Sequence, residues 1–396
     1  MTAVQPHDDR TVELDLPVPP APGEADGTGA QHRPGPLGWA ARGLAWAALA
    51  WVVLCYPGNV LSPFDIPAFD ANRMSEAVIF AIIGLSLNVL IGYAGQVSLG
   101  HQAFVGIGAF TSAYVVTDLT QEVVLGVLVA ALVGAAQAVL LGLVSLRLTG
   151  LYFALVTLVY GVMAQQSIFA IEAFTGGTAG KVAPRPTGFE SDFAYYYFAL
   201  IGLAAVLLVD WRLLRTKGGR ALLALRENPR VAQTWGIDTK AYTLFAFGVA
   251  GLFAGLGGGL LAHRDLQVVA NPFDFNLALV FVLMTTIGGL RNRVGVVLGS
   301  AFFAFLRNGY LVEKLKLEEG IGLPLVDVQV PGPLGAIDMS PEFAPLVFGP
   351  ILLLVVLTRL PGGFGQLVRP FEEWLAGRRF RWVPAEEEVI VNDVRA

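Results

Sequence analysis

Gln96, Ser98, His101 and Gln102 form the densest group of chemically capable side chains in this 396-residue sequence. They stand among glycines in the run GYAGQVSLGHQAFVGIGAF, residues 92–110. Two amides, a hydroxyl and an imidazole can hydrogen-bond a polar solute, but no nucleophile–base pair accompanies them. Positions 96, 98 and 101 do not share one helix face, so part of the group belongs to a loop. Buried polar groups without partners are costly, so these residues must pair with neighbours, water or a solute. His101 reads first as a hydrogen-bonded structural histidine and second as a proton relay. The single cysteine, Cys55, excludes an intramolecular disulfide, and the four histidines have no metal-ligand spacing. No catalytic residue, metal or cofactor is expected.

The elements that position this group are membrane spans. The chain is 55% hydrophobic and 14% charged, with a mean hydropathy of +0.63, whereas soluble domains carry about 25% charged residues. A span needs roughly 20 mainly apolar residues. Ten segments qualify: 37–56, 74–91, 98–117, 123–146, 151–171, 193–211, 241–262, 275–290, 294–312 and 343–360. The fold class is therefore all-α and polytopic. Residues 1–36, polar and rich in Pro and Gly, read as a disordered cytoplasmic tail without a signal peptide. Residues 37–360 form the transmembrane domain and 361–396 a cytoplasmic C-tail. With all ten segments crossing, most of the 26 basic residues fall on the side of both termini, as the positive-inside rule requires of the cytoplasmic side. The net charge of −5 says little, since the distribution of charge matters more than its sum; no nucleic-acid partner is expected.

Between the sixth and seventh segments lies a basic insertion, 212–240, with Arg212, Arg215, Lys217, Arg220, Arg226, Arg230 and Lys240. Inside it, Asn228-Pro229 followed by Val231, Ala232, Trp235 and Gly236 predicts a short helix. Asn caps the start, Pro at the first helical position loses no hydrogen bond, and Gly stops the end. A defined helix on this face is suited to presenting itself to a partner; the alternative is an amphipathic helix resting on lipid headgroups.

Other motifs have structural readings. Gly251, Gly255 and Gly259, extended by Gly248, make a stripe of small residues four apart, which lets another helix approach closely; it is assigned to packing, within the chain or against another subunit. Segments 98–117 and 275–290, interrupted or bounded by Gly and Pro, are the kind that expose backbone to a transported solute. The stretch 175–182 resembles a phosphate loop, but Thr175 and Val182 occupy positions that need Gly and Ser/Thr. Arg307 falls within a span, where a charge costs about 2.5–3.5 kcal/mol; snorkelling or pairing, for instance with Glu313, is favoured over contact with a substrate carboxylate.

Taken together, residues 92–110, LTGLYFALVTLVYG (148–161), FTGGTAG (174–180), GGRALLALRENPRVAQTWGIDTKAYTLFAF (218–247) and IGGLRNRVGVVLGSAF (287–302) resemble the branched-chain amino-acid ABC transporter permease family, in order along the chain. The resemblance implies a second permease subunit, two cytoplasmic ATPase subunits, an extracytoplasmic substrate-binding protein and a plasma-membrane location in contact with lipid. It implies that 212–240 is the loop docking the ATPase, through Arg226, Asn228, Pro229, Val231, Ala232, Trp235 and Gly236. Of the Glu-Ala-Ala-x-x-x-Gly pattern common in such loops, only Ala232 and Gly236 stand here. The substrate pathway would then be lined by Asn88, Gln96, His101, Gln102, Tyr152, Thr157, Tyr160, Thr285 and Thr286.

Two other functions stand as alternatives, and nothing in the chain excludes the first. Importers of urea and short amides use similar permeases and differ in cargo. A self-sufficient ion-driven carrier would show intramembrane carboxylates for its coupling ion; these are scarce, Glu76 standing near the start of one span.

Overall fold

Backbone N–H and C=O groups in a bilayer must be satisfied within the segment, and the chain meets this with helices almost throughout. The computed structural model describes residues 68–146, 148, 150–307 and 362–375, with isolated positions at 42–45, 47, 51, 53, 350 and 354. The expected tail 1–36 and most of segments 37–56 and 343–360 lie outside the described residues.

In chain order the helices are α1 (Ala68–Leu87), α2 (His101–Tyr114), α3 (Val123–Ser145), α4 (Leu151–Met163), the single turn α5 (Glu172–Thr175), α6 (Asp192–Arg215), α7 (Lys217–Glu227), α8 (Pro229–Thr234), α9 (Thr239–Asp265), α10 (Phe275–Gly288), α11 (Arg293–Arg307) and α12 (Gly363–Leu375). Three of them run on into π-helical turns: α1 into Asn88–Tyr93, α2 into Val115–Thr120 and α4 into Ala164–Ile168. Two-residue strands β1 (Lys181–Val182) and β2 (Gln267–Val268) pair antiparallel. Among the described residues six stretches are long and apolar enough to cross a membrane: Ala71–Tyr93, His101–Thr120, Val123–Val144, Leu151–Ile168, Asp192–Arg215 and Thr239–Asp265. The protein is an all-α, multi-pass membrane protein. α10 is shorter, and α11 occupies the described part of segment 294–312.

The core is built around α1 and α9. α9 packs on α1, α2 and α3, while α1 also receives α6 and α11. The glycine stripe accounts for the closest of these contacts. A Cβ on Gly251 would collide with the Gly134 carbonyl, and one on Gly255 with the Ala130 carbonyl, both on α3. Gly259 lies against Ala130 and Ser112, and Gly248 against Val139. The stripe thus serves packing inside this chain. On the outer flank, α3 and α4 expose Leu128, Leu132, Leu140, Leu155 and Val159, an apolar face suited to lipid or another apolar surface.

Buried ion pairs sort the helix ends into two faces. Glu76 near the start of α1 meets Arg264 at the end of α9 and Arg307 at the end of α11, each at 2.9 Å. At the opposite end of α1, Gly92 meets Arg226 of α7. The 27-residue α9 is about 40 Å long at 1.5 Å per residue. Asp265 and the 212–240 region therefore sit on opposite membrane faces. Within 361–396, α12 does not trail away but packs on α10 and α11.

Candidate functional site: a capped surface helix tied to the α1 span

The basic insertion folds as two helices where the sequence suggested one. Arg212 and Arg215 still belong to α6, and the Arg215 guanidinium lies 3.8 Å from the Trp211 ring centroid. α7 follows after Thr216, whose hydroxyl accepts from Gly219 N. Its buried residues Ala221, Leu222 and Leu225 face the bundle. α8 then begins at Pro229. The Asn228 side chain accepts from Arg230 N (3.1 Å) and Val231 N (3.3 Å), the N-cap expected of Asn. At the other end Gly236 takes φ +75°. Gly236 N donates to Gln233 O (3.0 Å) and Ile237 N to Ala232 O (3.1 Å), the paired bonds of a Schellman stop.

This short helix exposes apolar surface. Trp235 is 81% exposed and Val231 50%, whereas Ala232 turns inward and is buried. With Ala224, Glu227, Asn228 and Ile237 they border a groove of about 330 Å³. An exposed Trp beside an apolar groove is the composition of an interface anchor.

α7 connects the groove to the membrane core. Arg226 donates from Nη1 to the carbonyl of Gly92, inside the π turn that ends the Ala71–Tyr93 span. Burial, and after it the nearby Arg291 charge, lower the Arg226 pKa from the ordinary arginine value, while Glu227 raises it. Glu227 pairs with Arg291 at 3.2 Å. The Arg291 backbone N–H in turn donates to Asn88 Oδ1 at 2.9 Å, with Arg291 itself at φ +72°. Gly92 is required here: a Cβ would overlap the Asn88 side chain. Next to this junction, Arg293 Nε and Tyr93 Oη both donate to Asp210 Oδ2, the latter at 3.2 Å. Asp210, inside the Asp192–Arg215 span, is fully buried and neutralised by Arg293. The π turn thereby joins α1, α6, α7 and the α10–α11 turn.

The residues expected along a pathway divide into groups. Gln96 and Ser98 lie in the irregular stretch before α2, and His101 and Gln102 open the helix. His101 Nε2 lies 2.8 Å from Ser86 Oγ, which donates to Ala250 O at 2.6 Å. Since the serine proton is committed, Nε2 carries the histidine proton and Nδ1 is left as a buried acceptor without a partner. Thr157 accepts from Leu99 N at 2.9 Å and donates to Ala154 O at 2.8 Å. Tyr160 donates to Gln137 Oε1 at 2.9 Å and its ring meets Phe104, which also meets His101. Gln102 presses on Gly161. These four, His101, Gln102, Thr157 and Tyr160, form one group between α2 and α4. Asn88 belongs instead to the junction above. Thr285 donates to Phe281 O within its own helix, and Thr286 is half-buried beside it. Tyr152 is 72% exposed at the start of α4, on the outside of the bundle.

Buried polar atoms without protein partners concentrate between positions 88 and 102: Asn88 Nδ2, Ser98 Oγ, His101 Nδ1 and Gln102 Oε1. Native interiors leave few such atoms unpaired, so this region is where water or a polar solute would be accommodated.

Elsewhere, stretch 175–182 holds no phosphate cradle. The Thr175 hydroxyl is turned onto Phe169 O and Ile171 O, and Lys181 pairs with Asp118. Arg307 pairs with Glu76, 231 residues away; Glu313 lies outside the described residues. No group of His, Cys, Asp and Glu that could hold a metal occurs among the described residues.

The comparisons with known proteins are consistent in kind. A family model described as "Branched-chain amino acid transport system / permease component" matches residues 71–356. The chain is 30% identical over 278 residues to the "High-affinity branched-chain amino acid transport system permease protein LivM" of Escherichia coli (strain K12), covering 62% of this chain and 64% of that protein. It is 34% identical over 119 residues to the "Probable branched-chain amino acid transport permease protein LivH" of Methanocaldococcus jannaschii, covering 27% and 37%. It is 26% identical over 160 residues to the "Nucleoside ABC transporter permease protein NupC" of Lactococcus lactis subsp. cremoris, covering 40% and 45%. The chain thus spans 64% of the length of the first curated relatives it matches. No solved structure matches it.

Proposed function

Because the chain belongs to the family of branched-chain amino acid transport permeases, we propose that it is the membrane-spanning subunit of an ATP-driven importer of branched-chain amino acids. It works with a second permease, two ATPase subunits on the cytoplasmic side and an extracytoplasmic binding protein. The face carrying 212–240 is cytoplasmic, as its seven basic residues favour, and both termini lie on that side. Relatives of this kind are permease subunits, so ATP hydrolysis belongs to the partner and this chain supplies the path.

The observation that carries the reading is α8: a helix capped at both ends, presenting Trp235 and Val231 outward, and braced through Arg226 on the end of the α1 span. In this reading an ATPase groove receives Trp235. Closure of the ATPase dimer on ATP moves α8 and α7, and Arg226, Glu227 and Asn88 pass the displacement to α1 and the α10–α11 turn. The spans then rock between inward- and outward-open states, a rigid-body transition of packed helices. The solute passes the polar group at 88–102, where unpaired buried atoms can hold its amino and carboxylate ends through water or directly.

The intramembrane carboxylates speak against an ion-driven carrier. Glu76 is held by two arginines and Asp210 by one, so neither stands ready to bind a coupling ion.

The test is co-purification of the detergent-solubilised wild-type chain beside Trp235→Asp, with mass spectrometry of what is retained. The reading expects an ATPase with the wild type and its loss from the variant. A wild-type chain that emerges alone, and also transports solute alone in liposomes, contradicts it.

A further inference from the structure

On the face opposite the docking helix, a cavity of about 90 Å³ opens between α1, α9, α10 and α11. Its charged lining is one cation, Arg307, and one anion, Asp265; its apolar lining includes Phe80, Leu261, Phe273 and Leu277. The two charges are the ends of a single chain of ion pairs. Asp265 meets Arg264 at 2.8 Å, Arg264 meets Glu76 at 2.9 Å, and Glu76 meets Arg307 at 2.9 Å. Glu76, the inner anion of the chain, is almost fully buried, at 2% exposure, whereas Arg307 and Asp265 reach the cavity. Phe80 lies beneath the Arg307 guanidinium, 5.7 Å from centroid to carbon.

We propose that this cavity is a subsite for a free α-amino acid with an aliphatic side chain, its carboxylate on Arg307, its ammonium on Asp265, and its side chain against Phe80, Phe273 and Leu277. The assignment rests on the importer reading above and gives the solute a definite seat within this subunit.

Three features select this ligand class. A guanidinium has five N–H donors in a fork that matches a carboxylate, and Glu76 occupies one of those of Arg307 in this structure. The four-charge chain is neutral as a whole, so a zwitterion adds no net charge to a partly desolvated site, whereas a lone anion or cation would unbalance it. The volume is well below the roughly 300–1,000 Å³ of pockets for larger organic ligands, which favours an amino acid over a nucleoside. At about 40 Å from the docking helix along α9, the cavity stands where a solute arriving from the far side would first enter the subunit.

The experiment measures binding of tritiated L-leucine to the assembled permease–ATPase complex in nanodiscs without the binding protein. Competition uses leucine, 4-methylpentanoate (no ammonium) and 3-methylbutylamine (no carboxylate). Wild type should prefer leucine to either by at least tenfold. Asp265→Asn should weaken leucine at least tenfold and leave 4-methylpentanoate unchanged, so that this one discrimination collapses. Arg307→Gln should do the same for 3-methylbutylamine. Should Arg307→Gln fail to fold by size exclusion and thermal melting, Asp265→Asn decides the matter. Variants that keep both wild-type preferences overturn the subsite, as does a wild type that binds no leucine yet imports it when the binding protein is added; in both cases the importer reading stands. Uptake of urea but not of leucine by the complete complex overturns the reading and the subsite together.

Discussion

The Arg226 guanidinium donates to the carbonyl of Gly92, across 134 residues of sequence. That contact places the last turn of α7, the helix preceding α8, on the π turn closing the α1 span. π turns leave backbone carbonyls available and recur at functional positions. Here one of them is gripped by a side chain from the surface element that a partner would move.

Both ends of α8 are capped by hydrogen bonds, at Asn228 and at Gly236. Asn228→Ala removes two backbone hydrogen bonds and should cost about 1 kcal/mol of local helix stability. Gly236→Ala forces a Cβ into the left-handed region at a cost of about 1–2 kcal/mol, although the space around it is open. Both variants should express at wild-type levels and retain several-fold less ATPase on co-purification. Retention equal to wild type would show that α8 keeps its geometry without these caps.

The glycine stripe separates tight from loose positions. Gly255→Leu places a side chain into the Ala130 carbonyl and should abolish recovery of folded, monodisperse protein. Gly248→Ala meets only the Val139 methyl at 3.3 Å and should be recovered normally. Size-exclusion chromatography in mild detergent reads the contrast, and equal recovery of the two would contradict the assigned packing.

Glu76 serves two arginines, so its removal leaves both with a lost partner. Breaking a buried pair typically costs about 3–5 kcal/mol, and the partial exposure of Arg307 places Glu76→Gln toward the lower end. A clear drop in the detergent melting temperature is expected. An unchanged melting curve would mean that the arginines are satisfied without it.

Features set by local chemistry were legible in the sequence. Asn228-Pro229 and Gly236 announced α8 because capping involves residues two or three apart. Gly251, Gly255 and Gly259 announced a close helix approach because the period of small residues is itself the signal. Long-range partners were not legible. Nothing near Arg307 points to Glu76, and nothing near Arg226 points to Gly92. Asp210, two residues from the basic insertion, passes for part of its polar border until Arg293 is seen on it. α7 was hidden because Lys217 and Arg220 mask a buried face of Ala221, Leu222 and Leu225. Tyr152 was expected to line a pathway and is exposed on the side of α4 away from Thr157 and its buried neighbours. Composition drew attention to the polar run at 92–110, but the place of Asn88 in a junction with Arg291 and of Thr157 and Tyr160 beside α2 depends on tertiary contacts.

The central claim is that Arg226 transmits work from the docking helix to the spans, and one paired measurement tests it. The complete complex carrying Arg226→Ala is reconstituted in liposomes, and ATP hydrolysis and leucine uptake are read on the same sample. The account predicts hydrolysis within about twofold of wild type and uptake reduced at least tenfold, which is uncoupling with the ATPase still bound. Uptake that stays in proportion to hydrolysis would contradict it.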